Sequence, residues 1–350
     1  MASTMASTMV IALAAAVTSA GLSTPAFAQG ASPATGALLE TQQVPMHDPV
    51  LARQEGTYYV FATGKGIAVH SSRDLRHWRE EPPVFARMPE WTFSTVPGFE
   101  GLPWAPDISE HAGTYYLYYA VSLPGKITSA IGVATNHTLD RQSPDFAWLD
   151  GGMVLQSIPG RDLWNAIDPQ LIEDEHGTPW LAFGSFWSGL KLARLQPDRL
   201  RLAEPQEWHS IAKRERSVLR ADVDAEPAAL EAPFIFRKGD YYYLFLSWDR
   251  CCRGVHSNYK IMVGRAHHVT GPYLDRSGHD LARGGGTLLL RGNARWPGVG
   301  HSGTYTFDGR DYLVFHGYDA HDEGRSKLHV LELSWDAAGW PTVPADALGR

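Results

Sequence analysis

The sequence predicts an all-β fold, a five-bladed β-propeller, and three observations carry that prediction. A short phrase recurs five times, as His47-Asp48-Pro49, Trp104-Ala105-Pro106, Ile167-Asp168-Pro169, Glu231-Ala232-Pro233 and a degenerate Gly300-His301-Ser302. Each copy leads into a Gly turn and an aromatic strand, from Gly56-Thr57-Tyr58-Tyr59 in the first to Gly309-Arg310-Asp311-Tyr312 in the last. No segment longer than about a dozen residues carries helical periodicity. A unit of about sixty residues built from several short strands buries its faces only against its neighbours, and radial stacking satisfies every unit at once.

The strands follow in the same order in each copy. Tyr58 to Thr63 alternates as a strand, then Ile67 to His70, then Asp74 to Trp78 as a turn into an outer strand. The second copy reads Tyr115 to Ala120, Ile131 to Ala134 and Asn136 to Leu139; the third, Trp180 to Gly184 and Leu190 to Ala193. The fourth has Tyr241 to Ser247, Ile261 to Ala266 and Gly271-Pro272-Tyr273, and the fifth Tyr312 to His316, Lys327 to Leu333 and Trp335 to Trp340. Arg214 to Asp224 is the one candidate for a short helix. Two insertions interrupt the repeat, Arg87 to Gly101 and Asp249 to Asn258; each either shapes a cleft or caps a blade edge.

Met9 to Ala20 is apolar and too short to span a bilayer, and Pro25-Ala26-Phe27-Ala28 ends in the small-x-small pattern of a signal peptide. Residues 1–28 are therefore expected to be a signal peptide, 29–43 a linker, and 44–350 a single propeller domain of a secreted or periplasmic protein. The doubled Met-Ala-Ser-Thr at the start, without Lys or Arg, departs from the usual leader. A formal net charge of −7 with no basic run argues against nucleic acid as a partner, and no segment suggests a membrane one. The chain is expected to act as a monomer. The two cysteines, Cys251 and Cys252, are adjacent, so they cannot staple distant segments; they are either paired thiols or a vicinal disulfide. Neither Cys-x-x-Cys nor His-Glu-x-x-His occurs, which disfavours a zinc enzyme.

Asp48, Asp168 and Glu231 read as occupants of one repeated slot, and equivalent slots of a propeller face one axis. The three acids are thus expected to meet. An Asp before a Pro is a common turn element, but acids confined to one slot of a repeated frame suit glycoside hydrolysis. That chemistry needs one carboxylic acid for the leaving oxygen and one carboxylate for water or the anomeric carbon. A third acid nearby raises the first one's pKa by like-charge repulsion.

Taken in order, Val44-Pro45-Met46-His47-Asp48-Pro49, Trp104-Ala105-Pro106-Asp107-Ile108, Asn165-Ala166-Ile167-Asp168-Pro169, Leu230-Glu231-Ala232-Pro233-Phe234-Ile235, Cys251-Cys252-Arg253-Gly254, Tyr259 to Arg265 and Pro297 to His301 resemble family 43 glycoside hydrolases, most closely the endo-α-1,5-L-arabinanases. The resemblance runs from about Pro45 to Trp340. It implies an inverting mechanism with Asp48 as general base, Glu231 as general acid and Asp168 as the aspartate that keeps Glu231 protonated and oriented. It also implies that His301 faces a mostly water-ligated ion, assigned as calcium; the alternative is a buried histidine bonded to backbone carbonyls or to Glu231. Trp104 either stacks on a sugar or belongs to the core. His47, Asn165, Ser185 and Ser188 are candidate contacts to substrate or to the acid, and Tyr318 either lines the far side of the cleft or packs in the core.

The function implied is endo-hydrolysis of α-1,5-arabinofuranosidic bonds in pectic arabinan, a polysaccharide too large to import. The chain ends soon after the fifth copy, without the β-sandwich that many xylosidases of this family append, which favours an open groove and internal cleavage. Exo-acting arabinanase, arabinofuranosidase or β-xylosidase action is the sister reading, since the same acids serve it. A non-catalytic sugar-binding propeller would tolerate Asn, Gln or Ala in the acid positions, and none occurs there. Fructan hydrolases carry Asn-Asp-Pro, Arg-Asp-Pro and Glu-Cys where this chain has His-Asp-Pro, Ile-Asp-Pro and Glu-Ala-Pro.

Overall fold

Alternating apolar residues in the repeated copies become five antiparallel sheets, described here from a computed structural model covering Leu38 to Gly349 apart from residues 218, 220 and 222–227. The expected signal peptide, most of the expected linker and part of the expected helix at Arg214 to Asp224 lie outside those residues. The first sheet contains β1 (Leu39–Glu40), β2 (Val50–Gln54), β3 (Thr57–Ala62), β4 (Ala68–Ser72) and β5 (His77–Glu81). The second runs β6 (Trp104–His111), β7 (Thr114–Val121), β8 (Ser129–Asn136) and β9 (Leu149–Ser157), and the third β10 (Gln170–Glu173), β11 (Pro179–Phe183), β12 (Leu190–Arg194) and β13 (Trp208–Ala212). The fourth is β14 (Leu230–Lys238), β15 (Tyr241–Trp248), β16 (Lys260–Ala266) and β17 (Thr287–Arg291). The fifth is β18 (Val299–Phe307), β19 (Arg310–Asp319), β20 (Arg325–Trp335) and β21 (Pro341–Thr342).

Each blade meanders outward from an inner strand, and the inner strands β2, β6, β10, β14 and β18 contact one another in a closed ring. The hairpins from the first to the second strand explain the repeated glycine. Glu55-Gly56, Ala112-Gly113 and Asp308-Gly309 all take positive φ at both positions, as a two-residue turn matched to strand twist requires. The ring is closed by the amino-terminal segment: Met46 N–H donates to Ser326 and Leu328 N–H to Val44, so residues 44–46 pair beside the first half of β20 while β21 pairs with its end.

The apolar residues divide into five clusters, each lying mainly between two neighbouring blades. One joins Val50, Phe61 and Val69 to Leu117 and Tyr119; another joins Val44, Leu51, Val60 and Trp78 to Val314 and Leu328. Burial between blades at about 25 cal/mol per Å² is the main stabilising term. Polar staples add register: Asp107 accepts the N–H of Leu171 at 2.8 Å, and Gln170 accepts that of Ile235 at 3.0 Å.

Four details differ from the sequence reading. β1 pairs with β5, so the first blade begins at Leu39, inside the segment read as linker. A short helix, α1 (Glu90–Thr95), lies in the Arg87 to Gly101 insertion, where Trp91 packs on Tyr119; this insertion caps a blade. In the second blade Asn136 ends β8, its Oδ1 accepting from Thr138 and Ala147, and the outer strand begins only at Leu149; likewise the fourth blade's outer strand is β17, beyond Gly271-Pro272-Tyr273. The described residues of Arg214 to Asp224 form no helix.

Asp107 generates a stability prediction. Burial raises its carboxyl to about 7, so the folded state holds a proton that the unfolded chain has released. Its contribution is present at low pH and is lost as pH rises through about 7. Asp107→Asn keeps the acceptor for Leu171 without the charge. Thermal unfolding should show the variant exceeding the parent by a margin that is smallest below the unfolded carboxyl value of 3.8 and wider by several degrees at pH 8, at roughly 2–4 °C per kcal/mol; a margin that does not widen across that window would contradict the assignment.

Candidate active site

At the head of every inner strand one residue takes the left-handed conformation: Asp48 (φ 54°), Ala105 (41°), Asp168 (56°), Ala232 (57°) and His301 (52°). In blades two, four and five this residue sits in a register shift of the first hairpin. The conformation is unfavourable for a residue with a Cβ, and hydrogen bonds to its N–H offset that. Thr63 Oγ1 accepts from Ala105 at 2.8 Å, Ser247 Oγ from His301 at 2.8 Å, His316 Nδ1 from Asp48 at 3.0 Å and Asp168 Oδ2 from Ala232 at 3.1 Å. Three of these acceptors, Thr63, Ser247 and His316, lie in or directly after the second strand of the preceding blade, so the staples pass around the ring.

This geometry corrects the slot assignment. The left-handed slot carries two acids, Asp48 and Asp168, and the imidazole of His301. Glu231 comes one residue earlier, in the place of His47, Trp104, Ile167 and Gly300. The three acids nevertheless meet. They line one cavity of about 580 Å³ together with His47, Trp104, Asn165, Ser185 and His301.

Asp48 is surrounded by donors. His47 Nδ1 lies 2.7 Å and His301 Nδ1 3.0 Å from its Oδ1, and Thr63 donates to Oδ2 at 2.5 Å. Burial would raise this carboxyl, but His301 and His47, as charges and as donors, outweigh it and hold the group well below the usual carboxylate range. Burial likewise opposes a charged His301; Asp48 first, then Asp168 and Glu231, raise it to about 9. An imidazolium–carboxylate pair therefore sits on the axis.

Glu231 is shifted in the opposite direction. Burial raises it; Ser185 and Tyr259, donating at 2.7 and 2.8 Å, and His301 pull it back, while the charge of Asp48 adds to the rise. Asp168 is raised well above its ordinary value, by burial first and further by Glu231 and Asp48, against the pull of His301. The cavity thus holds one carboxyl pushed down beside two pushed up, and burial is the first cause of the rise in Glu231.

The remaining candidates separate. Ser185 orients the acid. Trp104 is half-buried and faces the cavity, as do Phe186 and Trp187. Asn165 lines the wall but its amide is committed to Ser129 and to the Lys126 carbonyl, bracing the loop from Leu123 to Lys126. Ser188 does not reach this cavity; it lines a neighbouring one with Lys191 and Lys213. Tyr318 is 3 % exposed and lies behind the wall, its hydroxyl 2.8 Å from His47 Nε2. Cys251 and Cys252 form a vicinal disulfide on the cavity wall, so the second insertion shapes the cleft. Thr63, Ser247, Tyr259 and His316 were missed, although Thr63, Ser122, Ser185, Ser247 and His316 repeat at similar distances after each slot.

The donors at the axis do not by themselves fit calcium. His301 pairs its Nδ1 with Asp48 and holds a proton, and among the described residues it shares no ligand-distance cluster with two further donors. One imidazole is a poor start for an ion that takes six to eight oxygens; any ion here would draw its shell from water, and no step below uses one.

Residues 42–341 match the family described as Glycosyl hydrolases family 43. The chain is 56% identical over 302 residues to the extracellular exo-alpha-(1->5)-L-arabinofuranosidase of Cellvibrio japonicus, covering 86% of this chain and 87% of that one. It is 39% identical over 328 residues to the extracellular endo-alpha-(1->5)-L-arabinanase 1 of Bacillus subtilis, covering 93% and 95%. Among solved structures, the alpha-L-arabinanase of Cellvibrio cellulosa complexed with arabinohexaose superposes with a TM-score of 0.86 at 56% identity, over 87% of this chain and 97% of that one.

The axial ion pair predicts a pH-dependent stability. A histidine raised to about 9 stabilises the fold fully below its unfolded value near 6.5 and loses that contribution as pH rises through about 9. Unfolding midpoints of the parent relative to His301→Asn should therefore fall between pH 6.5 and 9; a constant difference across that window would mean that His301 is neutral.

Proposed function

The chain belongs to glycosyl hydrolase family 43, and from that membership we propose that it is an exported, inverting hydrolase of the α-1,5-arabinofuranosidic bonds of arabinan. The observation that carries the reading is the single cavity in which Asp48 is pushed well below the usual carboxylate range and Glu231 is pushed up. Inversion is a single displacement. Glu231 gives its proton to the departing glycosidic oxygen while Asp48 takes one from a water whose oxygen attacks the anomeric carbon from the opposite face. Asp168, beside the acid and bonded to Ala232 N–H, holds Glu231 in place and stays out of proton transfer. Trp104 and Phe186 offer aromatic faces for furanose rings.

Attack at a chain end is favoured over the internal cleavage expected from the sequence. The 56% identical relative is named for exo action, against 39% identity for the relative named for endo action. Both are named extracellular, which supports export.

Time courses on linear debranched arabinan test this directly. One small product with slow loss of viscosity is expected; a spread of oligosaccharides with rapid loss would establish endo action, and no release from arabinan would remove the hydrolase reading.

Glu231→Ala and Asp48→Ala should each lower kcat on arabinan by about 10³-fold or more while leaving the fold intact. Only the Glu231 defect should shrink on a nitrophenyl arabino-oligosaccharide, whose leaving group needs no proton. Equal recovery of both variants would contradict the division of roles.

A further inference from the structure

The back wall of the cleft holds a chain of hydrogen bonds whose direction can be followed atom by atom. Asp48 N–H can only donate, so His316 Nδ1 accepts it at 3.0 Å and carries no proton. His316 is 0 % exposed, and its remaining proton is on Nε2, 3.2 Å from the Tyr318 hydroxyl. That oxygen also accepts the N–H of Cys252 at 2.7 Å. With both lone pairs engaged, Tyr318 directs its own proton to His47 Nε2 at 2.8 Å, in preference to Cys252 Sγ at 3.8 Å. A His47 ring that accepts at Nε2 carries its proton on Nδ1, which lies 2.7 Å from Asp48 Oδ1.

We propose that Tyr318, itself held by the Cys251–Cys252 disulfide loop, positions the general base by fixing His47 as an Nδ1–H donor to Asp48. The inference rests on Asp48 being the base and adds two elements to that reading. Cys252 is in the left-handed conformation at φ 66°, with its N–H on Tyr318, and the disulfide ties that residue to its neighbour. Its Sγ lies 3.7 Å from His47 Nε2, beside the Tyr318–His47 bond. His47 is also stacked on His316 at 4.0 Å between ring centroids, so it cannot swing away without leaving that ring. The relay thus converts a loop conformation on the cleft wall into the orientation of a carboxylate that His301 and His316 approach to 3.0 and 3.6 Å and whose charge is felt by Asp168, Glu231 and Tyr259. Tyr318 and the disulfide are positioning residues: they act on water activation through His47.

Tyr318→Phe keeps the ring and removes the hydroxyl. Steady-state kinetics on debranched arabinan should show kcat lowered roughly ten-fold with KM within about two-fold of the parent. The same loss should persist on a nitrophenyl arabino-oligosaccharide, because an activated leaving group compensates a weakened acid and leaves a misplaced base uncorrected. The double variant Cys251→Ser, Cys252→Ser keeps the Tyr318 hydroxyl and should lower kcat on both substrates in the same direction. It carries the test if Tyr318→Phe fails to fold, as judged by thermal unfolding.

A folded Tyr318→Phe with parental kcat, a defect confined to KM, or one that disappears on the aryl substrate would overturn the relay. Parental kcat in the double serine variant would remove the disulfide from it. Substantial activity in Asp48→Ala is a separate outcome: it would sink the base assignment beneath the proposal rather than the relay itself.

Discussion

A buried ion pair at the axis, His301 Nδ1 to Asp48 Oδ1 at 3.0 Å, organises the rest of the site. It supplies the positive charge that holds one carboxyl low in an interior that pushes a second and a third upward. Removing two charges from water carries a penalty that a lone pair recovers only with further hydrogen bonds, and those bonds are present. Thr63 and His47 donate to Asp48, while Ser247 accepts the backbone N–H of His301. The catalytic asymmetry is therefore built into the ring of blades and needs no separate device.

The left-handed residue at the head of each inner strand is what brings these groups together. In blades two, four and five the chain leaves the ladder there for two residues, and side chains from all five blades line one cavity. Asp tolerates the conformation better than most residues, which suits Asp48 and Asp168. Ala105 and Ala232 have no side chain to help them, and their N–H groups are held by Thr63 and by Asp168. Asp168 thus has two tasks: it fixes the strand that carries Glu231, and it shares the buried space of that acid.

Much of this was legible in the sequence because a repeat multiplies weak signals. An Asp-Pro pair says little, but five copies followed by Gly-aromatic hairpins specify both blade number and axis. The slot of Glu231 was misjudged by one residue: the residue before the proline in each of the first four copies takes positive φ, and in the fourth copy that residue is Ala232, not the acid. Tyr259 and Tyr318 were harder to place: each is an aromatic in a strand-rich stretch, and only their hydroxyl partners separate them from core. Asn165 and Ser188 illustrate the reverse, polar residues near a motif that the folded chain commits to a loop brace and to a neighbouring cavity. The outer strands β9 and β17 lie beyond long loops, where the repeat loses its period.

The account stands on two carboxyl groups in one cavity being held in opposite protonation states. Carbon-detected NMR titration of the protein with ¹³C-labelled aspartate and glutamate side chains reads those states directly, with assignments taken from Asp48→Asn and Glu231→Gln. The account predicts that Asp48 stays ionised to pH values below the usual carboxylate range while Glu231 takes up its proton above that range. Two resonances titrating together near the ordinary carboxylate value would contradict it.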